Sequence, residues 1–263
     1  MKKVVFQAAL VAAALVAGQA LIAGQARAAD EDRFSLTASL GVVSEYYFRG
    51  ISQAYSKDDI KPAIQPGLEG EMKITDYASG YLGVWGSNVD FNNGTDAEAD
   101  LYGGFRFSFG DAGLDLGMIH YHYLDQPDAS HLSFNEFKAV ASYDFGFAAP
   151  SLGYYYSPDY FGASGNASYV TAGVSVPLPV TDFSPEIRAN VGHQAIEKNA
   201  TWGTKDYMDW NIGIFATFFD FTVGLQYVDN NLKKADAANT GCRSTGDPCS
   251  AAAVLSVAYS YSF

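Results

Sequence analysis

The chain ends on A-A-A-V-L-S-V-A-Y-S-Y-S-F, residues 251–263, in which large and small side chains alternate. One parity carries Leu255, Val257, Tyr259, Tyr261 and Phe263, and the other carries serine and alanine. A period of two is typical of a β-strand with one apolar face and one small, polar face. Soluble domains more often end on a polar, frayed tail. The strand fits a membrane barrel or the core of a soluble sandwich, and the rest of the chain has to distinguish the two folds.

The amino-terminal segment reads as an export signal. Lys2 and Lys3 precede a run of alanine, valine and leucine, and the run ends on the small-x-small sequence of residues 26–28. We therefore predict a cleaved signal peptide at residues 1–28 and a single domain at residues 29–263, with a retained anchor helix as the alternative. After residue 28 no window approaches the ~18 continuous apolar residues of a spanning helix. A membrane-embedded mature chain would have to cross with strands.

Composition excludes several classes of protein. The net charge of −13, with 16 Lys and Arg in 263 residues, argues against a nucleic-acid partner, which needs a basic face. Aromatic residues make up 15% of the chain, with 26 Gly and only 9 Pro, which favours a strand-rich protein over a helical or disordered one. The sequence shows no pattern that predicts a cofactor or a metal.

Eleven further segments before residue 251 have strand character, most with a clear alternation, which predicts about twelve strands, within a range of ten to fourteen. The predicted connections alternate between long and short: 50–61, 75–80, 90–97, 110–113, 125–131, 146–149, 157–167, 179–184, 196–206, 220 and 229–250. An up-and-down antiparallel transmembrane β-barrel, with short periplasmic turns and longer extracellular loops, predicts this alternation. A Greek-key sandwich has no reason to produce it.

In lipid every backbone N–H and C=O must pair within the sheet, so such strands must close into a barrel. The uniformly apolar face of each strand then faces hydrocarbon. Amphipathic aromatic residues near the strand ends are predicted to form the interface girdles. These residues are Tyr46, Trp85, Tyr154, Tyr156, Trp210, Tyr227 and Tyr261.

The opposite parity predicts the residues that line the lumen: Glu45, Arg49, Glu69, Glu71, Lys73, Glu98, Asp100, Arg106, Asp115, Glu136, Lys138, Asp144, Glu186, Arg188 and Asp209. Burying so many ions without water would cost several kcal/mol each, which favours a hydrated interior. Eight strands leave room only for side chains and about sixteen leave an open channel, so twelve is compatible with a narrow pore or a closed plug. Acids outnumber bases, which predicts a weak preference for cations or small polar solutes.

Several segments resemble one family: S-E-Y-Y-F-R-G-I-S-Q at 44–53, P-A-I-Q at 62–65, W-G-S-N-V-D-F at 85–91, D-L-Y-G-G at 100–104 and N-E at 135–136. They are similar to the TorF family of proteobacterial porins. The resemblance implies an exported outer-membrane barrel of a Gram-negative cell, with no established substrate and no catalytic residues.

The terminal strand also resembles the closing strand of outer-membrane barrels, in which Tyr259, Tyr261 and Phe263 would be read by the barrel-assembly machinery. Outer-membrane lipids, lipopolysaccharide and small polar solutes are the other partners expected. The oligomeric state stays open.

Two alternatives to a channel remain. One is a lipid-modifying enzyme on the outer wall, for which His120, His122, His131 and His193, with Ser87, Asn88 and Ser133, are the candidate groups. Because nothing in the sequence shows that these groups converge, we predict no enzyme.

The other alternative to a channel is a closed barrel that acts through its loops. The last loop holds the only two cysteines, Cys242 and Cys249, which favour a disulfide after export.

Overall fold

The structure is a computed structural model that describes residues 33–54, 62–127, 130–179, 183–233, 240–243 and 246–263. Twelve antiparallel strands form a closed barrel in which each strand pairs with its neighbours in the chain. The predicted fold class, including the preferred number of strands, is confirmed. The predicted signal peptide at residues 1–28 lies outside the described residues.

The strands of the barrel wall are β1 (Phe34–Val43), β4 (Ala63–Thr75), β5 (Ala78–Asn88), β6 (Ala97–Phe109), β7 (Ala112–Leu124), β8 (Phe134–Tyr143), β9 (Ala149–Ser157), β10 (Ala167–Pro177), β11 (Glu186–Ile196), β12 (Tyr207–Phe218), β13 (Phe221–Asn230) and β14 (Ala252–Ser262). Two very short strands, β2 (Tyr47–Phe48) and β3 (Ile51–Ser52), form a separate two-stranded sheet. The short helices of the described chain are α1 (Asn199–Trp202) and 3-10 turns at Phe161–Ala163 and Gly241–Arg243. None of these helices has the length and apolar character needed to cross a membrane.

The carboxy-terminal strand closes the barrel. β14 pairs on one side with β13 and on the other with β1, where Leu40 faces Tyr259 and Ala38 faces Tyr261. Closure leaves no free strand edge, so the backbone of each wall strand pairs with a neighbouring strand on both sides. The alternating terminal sequence therefore lies at the seam of the cylinder.

The outer wall is apolar, as the alternation predicts. Leu82 is 63% exposed and Leu101 is 51% exposed, whereas their neighbours Tyr81 and Asp100 are buried on the inner face. The faces of β5 could not be assigned from the sequence, because its inner face carries Trp85 instead of a charged residue. An outward apolar face and an inward polar face are opposite to the arrangement in a soluble barrel.

Long and short connections lie at opposite ends. The short-turn end holds 76–77, 110–111, 144–148, 178–185 and 219–220, and the long-loop end holds 44–62, 89–96, 125–133, 158–166, 197–206 and 231–251. One expectation is wrong in detail. The sequence extends the first strand to Arg49, but β1 ends at Val43 and the chain then turns into the barrel as the β2–β3 hairpin. The alternation of residues 44–49 continues that of β1, so it did not reveal the break.

Candidate functional site

The β2–β3 hairpin fills the long-loop half of the barrel. Its two-residue turn is formed by Arg49 and Gly50, which have positive φ angles of 47° and 75°. Two consecutive positive φ angles match the twist of a tight hairpin. A Cβ atom on Gly50 would lie 2.8 Å from Cβ of Asp209, so glycine is also required by close packing against β12. The turn is therefore pressed against the wall.

The hairpin contacts strands on all sides of the interior. Tyr46, just before β2, packs edge-on against Trp85 of β5, with ring centroids 5.6 Å apart, and its hydroxyl donates to Glu98 of β6 at 3.2 Å. The ring of Phe48 lies 5.7 Å from that of Tyr121 on β7. On the opposite side the carbonyl of Gly50 accepts a hydrogen bond from the side chain of Asn230 on β13, at 2.6 Å.

Arg49 at the tip of the hairpin is buried in an ion pair. Its Nη2 donates to Oε2 of Glu136 at 2.6 Å, and its Nη1 donates to Oε1 of Gln194 at 2.7 Å. The side chains of Arg49 and Glu136 are each 1% exposed. Charge-assisted hydrogen bonds of this length are strong, and removing one partner would leave a buried charge unpaired.

Aromatic rings complete the surroundings of the Arg49 guanidinium. Its carbon lies 4.2 Å from the ring centre of Tyr169 and 5.4 Å from that of Tyr155. The ring of Phe48, on the hairpin itself, lies 4.8 Å away. A cation over ring faces is stabilised by the ring quadrupole, most strongly where water is excluded. Four consecutive wall strands, β8 to β11, thus supply the groups around one cation.

A second aromatic layer covers the hairpin beneath the long loops. Tyr160 lies 4.7 Å from Phe134 and 5.4 Å from Trp202, and Phe161 lies 5.1 Å from Trp202, all between ring centroids. Burial raises the pKa of the loop residue Tyr160 well above its usual value, so its hydroxyl stays protonated. This layer closes the long-loop half with packed side chains.

The last long loop adds to the cover. Cys242 and Cys249 form a disulfide, as the sequence predicts. Both are buried in a cluster with Ile51 of the hairpin, Tyr207 and Leu232. The backbone N–H of Ser52 donates to the carbonyl of Pro248 at 2.8 Å. The last long loop therefore contacts the hairpin on the side that faces the long-loop end and helps to hold it in the barrel.

The short-turn half of the interior is different in chemistry. Arg106 pairs with Glu69 at 2.8 Å and with Glu71 at 2.5 Å, and Lys138 pairs with Asp115 at 2.8 Å. The side chain of Arg106 is 31% exposed and that of Glu71 is 34% exposed. Solvent thus reaches the Arg106–Glu71 pair, as it would in a hydrated vestibule, whereas the side chains of Lys138 and Asp115 are only 10% and 9% exposed.

Another ion pair lies on the other side of the short-turn half. Arg188 pairs with Glu186, which also accepts a hydrogen bond from the hydroxyl of Ser175. The guanidinium of Arg188 covers the ring of Phe215 at 4.4 Å. On the inner face of β10 to β12 the charged side chains therefore have partners of opposite charge or hydrogen-bond donors.

The structure places most of the sequence-predicted lumen residues inside the barrel. On the inner face of the wall strands lie Glu69, Glu71, Glu98, Asp100, Arg106, Asp115, Glu136, Lys138, Glu186, Arg188 and Asp209. Glu45 and Arg49 belong to the inserted segment instead, where Ser52 donates to the carboxylate of Glu45.

Lys73 and Asp144 do not line the lumen. The side chain of Lys73 is 59% exposed and pairs with Asp76 in the adjacent turn. Asp144 lies in the turn after β8, where its carboxylate accepts from the N–H of Gly146 at 2.6 Å. Both residues follow the inward parity, but their strands have reached the rim at these positions.

Two predicted girdle residues are also misplaced. Tyr46 is 2% exposed and Trp85 is 6% exposed, because they pack against each other inside the barrel. An amphipathic aromatic residue near a strand end suits the interface and the inside of a plug equally well.

Gln194, Tyr155 and Tyr169 were missed as interior residues around Arg49. The parity of Gln194 with Arg188 could have revealed it.

The histidine candidates lie on the outer wall or in a loop. His120 Nδ1 lies 2.9 Å from Oδ1 of Asn135, and His122 Nδ1 lies 3.5 Å from the hydroxyl of Ser133. That hydroxyl oxygen also accepts from the N–H of Tyr123, at 3.1 Å, which closes the β7–β8 connection.

His131 and Ser133 line a cleft with Gln126, Asp159 and Tyr160, and His193 is exposed on β11. Within the described ranges, no carboxylate or amide is bonded to His122 to orient its ring as a catalytic base requires. The same ranges contain no group of three or more His, Cys, Asp or Glu side chains placed to hold a metal ion.

A closed, twelve-stranded antiparallel barrel with an apolar outer wall and an ionised interior defines the chain as a β-barrel of the outer-membrane type. The chain belongs to the Gcw_chp family, described as bacterial proteins of unknown function, which it matches over residues 27–261. No curated protein matches it. The finer resemblance to the TorF family stays a prediction.

Solved structures share the fold at low sequence identity. The chain is similar to the NanC porin, with 10% identity and a TM-score of 0.50, over 86% of this chain and 98% of that one. It is also similar to an outer membrane channel from Pseudomonas putida F1, with 8% identity and a TM-score of 0.53, over 89% of this chain and 97% of that one. These likenesses concern the fold of the barrel.

Proposed function

We propose that this protein is a porin-like channel for passive diffusion of small polar solutes or ions, and that the structure represents its closed state. The observation that carries the proposal is that the β2–β3 hairpin shares no backbone ladder with the strands of the wall, although its side chains pack against them. The two strands form their own sheet, so the hairpin can move without breaking a ladder of the barrel. A plug of this kind is separable from the cylinder that it closes.

The charges of the inner face support a preference for cations. Acids on the wall and the hairpin outnumber bases. The acids are Glu45, Glu69, Glu71, Glu98, Asp100, Asp115, Glu136, Glu186 and Asp209, and the bases are Arg49, Arg106, Lys138 and Arg188. Rings of acidic side chains favour the entry of cations and repel anions. The solutes would enter the vestibule among the ion pairs of the short-turn half.

The outer wall supports a location in the outer membrane of a Gram-negative cell, reached after export directed by residues 1–28. The exposed apolar side chains would contact lipid, and the long loops would face lipopolysaccharide. Phe263 is 72% exposed next to Tyr261, at the end of the closing strand. We propose that Tyr259, Tyr261 and Phe263 are the signal for the barrel-assembly machinery. The proposal includes no catalytic step.

The test is current through refolded protein in a planar bilayer. The native protein is expected to conduct little, and a variant in which residues 45–53 are replaced by a short Gly-Ser linker is expected to conduct steadily. In asymmetric KCl the reversal potential of that variant should lie on the cation side, and Glu69→Gln with Glu71→Gln should move it toward zero. Anion selectivity, or no current from a folded variant, would refute the channel.

A closed barrel that acts through its loops is the second candidate. The observation in its favour is the packed cover of the long-loop end, where aromatic rings and the Cys242–Cys249 disulfide seal the hairpin beneath them. This function predicts that neither the native protein nor the hairpin-replaced variant conducts, although both migrate on gels as folded barrels whose mobility shifts on heating.

A further inference from the structure

We infer that the wall around Arg49 is a binding site for organic cations of the guanidinium class, and that the hairpin occupies this site with a guanidinium of its own. The site consists of Glu136, Gln194, Tyr155 and Tyr169, which we call the cation cage. If the barrel is a channel, as proposed above, the cation cage would select the solute and also hold the hairpin in place; this transport role rests on the proposed function. The binding part is independent of it.

The cage is supplied entirely by the wall. Glu136 on β8 and Gln194 on β11 present one acceptor oxygen to each terminal nitrogen of the guanidinium, at 2.6 and 2.7 Å. The rings of Tyr155 on β9 and Tyr169 on β10 lie beside the planar group. None of these four residues belongs to the hairpin, so the cage persists when Arg49 leaves.

The geometry favours a guanidinium over other cations. Two parallel donors on a rigid plane reach two separate acceptors, and the face of the plane covers an aromatic ring. An alkylammonium is a strongly hydrated point charge without this flat face. Urea has the same planar shape without the charge that Glu136 neutralises. Methylguanidinium, methylammonium and urea therefore form a matched series of probes.

More carboxyl groups lie around the cage than Arg49 uses. Asp209 lies against Gly50 and accepts a hydrogen bond from Tyr169, at 3.1 Å, through Oδ1. Its Oδ2 has no hydrogen-bond partner among the described residues, nor does Oδ1 of Asp100 on β6. Both residues are at least nine-tenths buried. The interior therefore offers further acceptor atoms to a cation that enters.

The hairpin is a tethered occupant that a free solute has to displace. Arg49 sits at a turn with positive φ, a conformation that costs a non-glycine residue free energy, and its Nε atom has no partner within the described chain. The tethered group is therefore not an ideal ligand for the cage. A solute with one guanidinium would compete for the same acceptors and release the plug that closes its own path.

The experiment measures binding of methylguanidinium to protein refolded in detergent, by calorimetry, at concentrations far below those that denature. Arg49→Ala empties the cage and is expected to bind the probe more tightly than the native protein, in which the probe has to displace Arg49. Adding Glu136→Gln to Arg49→Ala should weaken binding by about 10- to 100-fold, because a charge-assisted hydrogen bond is lost. Methylammonium should bind more weakly than methylguanidinium, and urea should not bind.

The matched control combines Arg49→Ala with Glu71→Gln, which removes the same charge from the inner face outside the cage and should leave affinity unchanged. If Arg49→Ala fails to fold, the variant with residues 45–53 replaced also lacks the guanidinium and serves in its place. Equal affinity with and without Glu136→Gln, or no binding by either folded variant, would overturn the site. Binding without conductance would leave the site intact and refute the channel alone.

Discussion

The two halves of the barrel interior both contain arginine–carboxylate ion pairs, but the pairs differ in their exposure to water. In the short-turn half, Arg106 is 31% exposed and its partner Glu71 is 34% exposed, so water reaches this ion pair. In the long-loop half, Arg49 and Glu136 are each 1% exposed and are enclosed by aromatic rings. A solvent-exposed ion pair adds little to the stability of the folded protein. Removing one partner of a buried pair lowers that stability strongly, because it leaves an unpaired charge. The contrast identifies the long-loop half as the part that is held shut.

The largest effect is expected at Glu136. Glu136→Gln leaves the guanidinium of Arg49 buried opposite a neutral amide, and should lower the free energy of unfolding by about 3–5 kcal/mol. Urea unfolding of the barrel in lipid vesicles measures this loss. A loss below about 1 kcal/mol would mean that water reaches Arg49, and the difference between the two halves would disappear.

The disulfide should have the next largest effect. Replacing Cys242 and Cys249 by serine removes a short covalent loop over the hairpin, which should cost about 2 kcal/mol. Because the loop covers only the long-loop half, the substitution should expose the hairpin to protease before the wall unfolds. Reduction of the native protein should reproduce this cleavage. Cleavage that requires unfolding of the whole barrel would show that the cover does not hold the hairpin.

Arg106→Ala should have a smaller effect. Its partner Glu71 is 34% exposed and can be hydrated when Arg106 is removed, whereas the side chain of Glu69 is only 11% exposed. The loss should therefore be about 1–2 kcal/mol, below that at Glu136. Measuring Glu136→Gln under the same urea conditions allows the losses of unfolding free energy in the two halves to be compared. Equal losses would contradict the assignment of a hydrated vestibule.

The smallest effect concerns a solvent-exposed loop of the long-loop end. Hydrogen bonds from the backbone and side chain of Asn166 lower the pKa of Glu197 from its ordinary value of 4.5. These bonds are fully formed above that value and are lost as the pH falls through the lower pKa of the folded state. Hydrogen exchange at the Asn166 amide should quicken only in acid. Glu197→Gln should remove this pH dependence.

Alternation in the sequence was sufficient to predict the wall, because lipid outside and charge inside impose a strict period of two. Strands such as β6 and β12 follow it over most of their length. It failed where a segment keeps the period without joining the wall. Residues 44–49 continue the alternation of β1, so Arg49 was correctly expected inside the barrel but on the wrong element.

The surroundings of Arg49 could not be predicted from sequence. Gln194, Tyr155 and Tyr169 lie on separate strands, and only the closure of the barrel brings them to one point. Tyr46 and Trp85 show the same limit, because their amphipathic rings suit a membrane interface as well as a plug. The Arg49-Gly50 pair is a local turn signal in retrospect, since glycine is favoured where φ is positive.

The most direct measurement compares the current of the native protein with that of the variant in which residues 45–53 are replaced, in the same bilayer and at the same voltage. Removal of the hairpin should convert a closed barrel into a steadily conducting one. Equal currents from the two folded proteins would contradict the assignment of the β2–β3 hairpin as the plug.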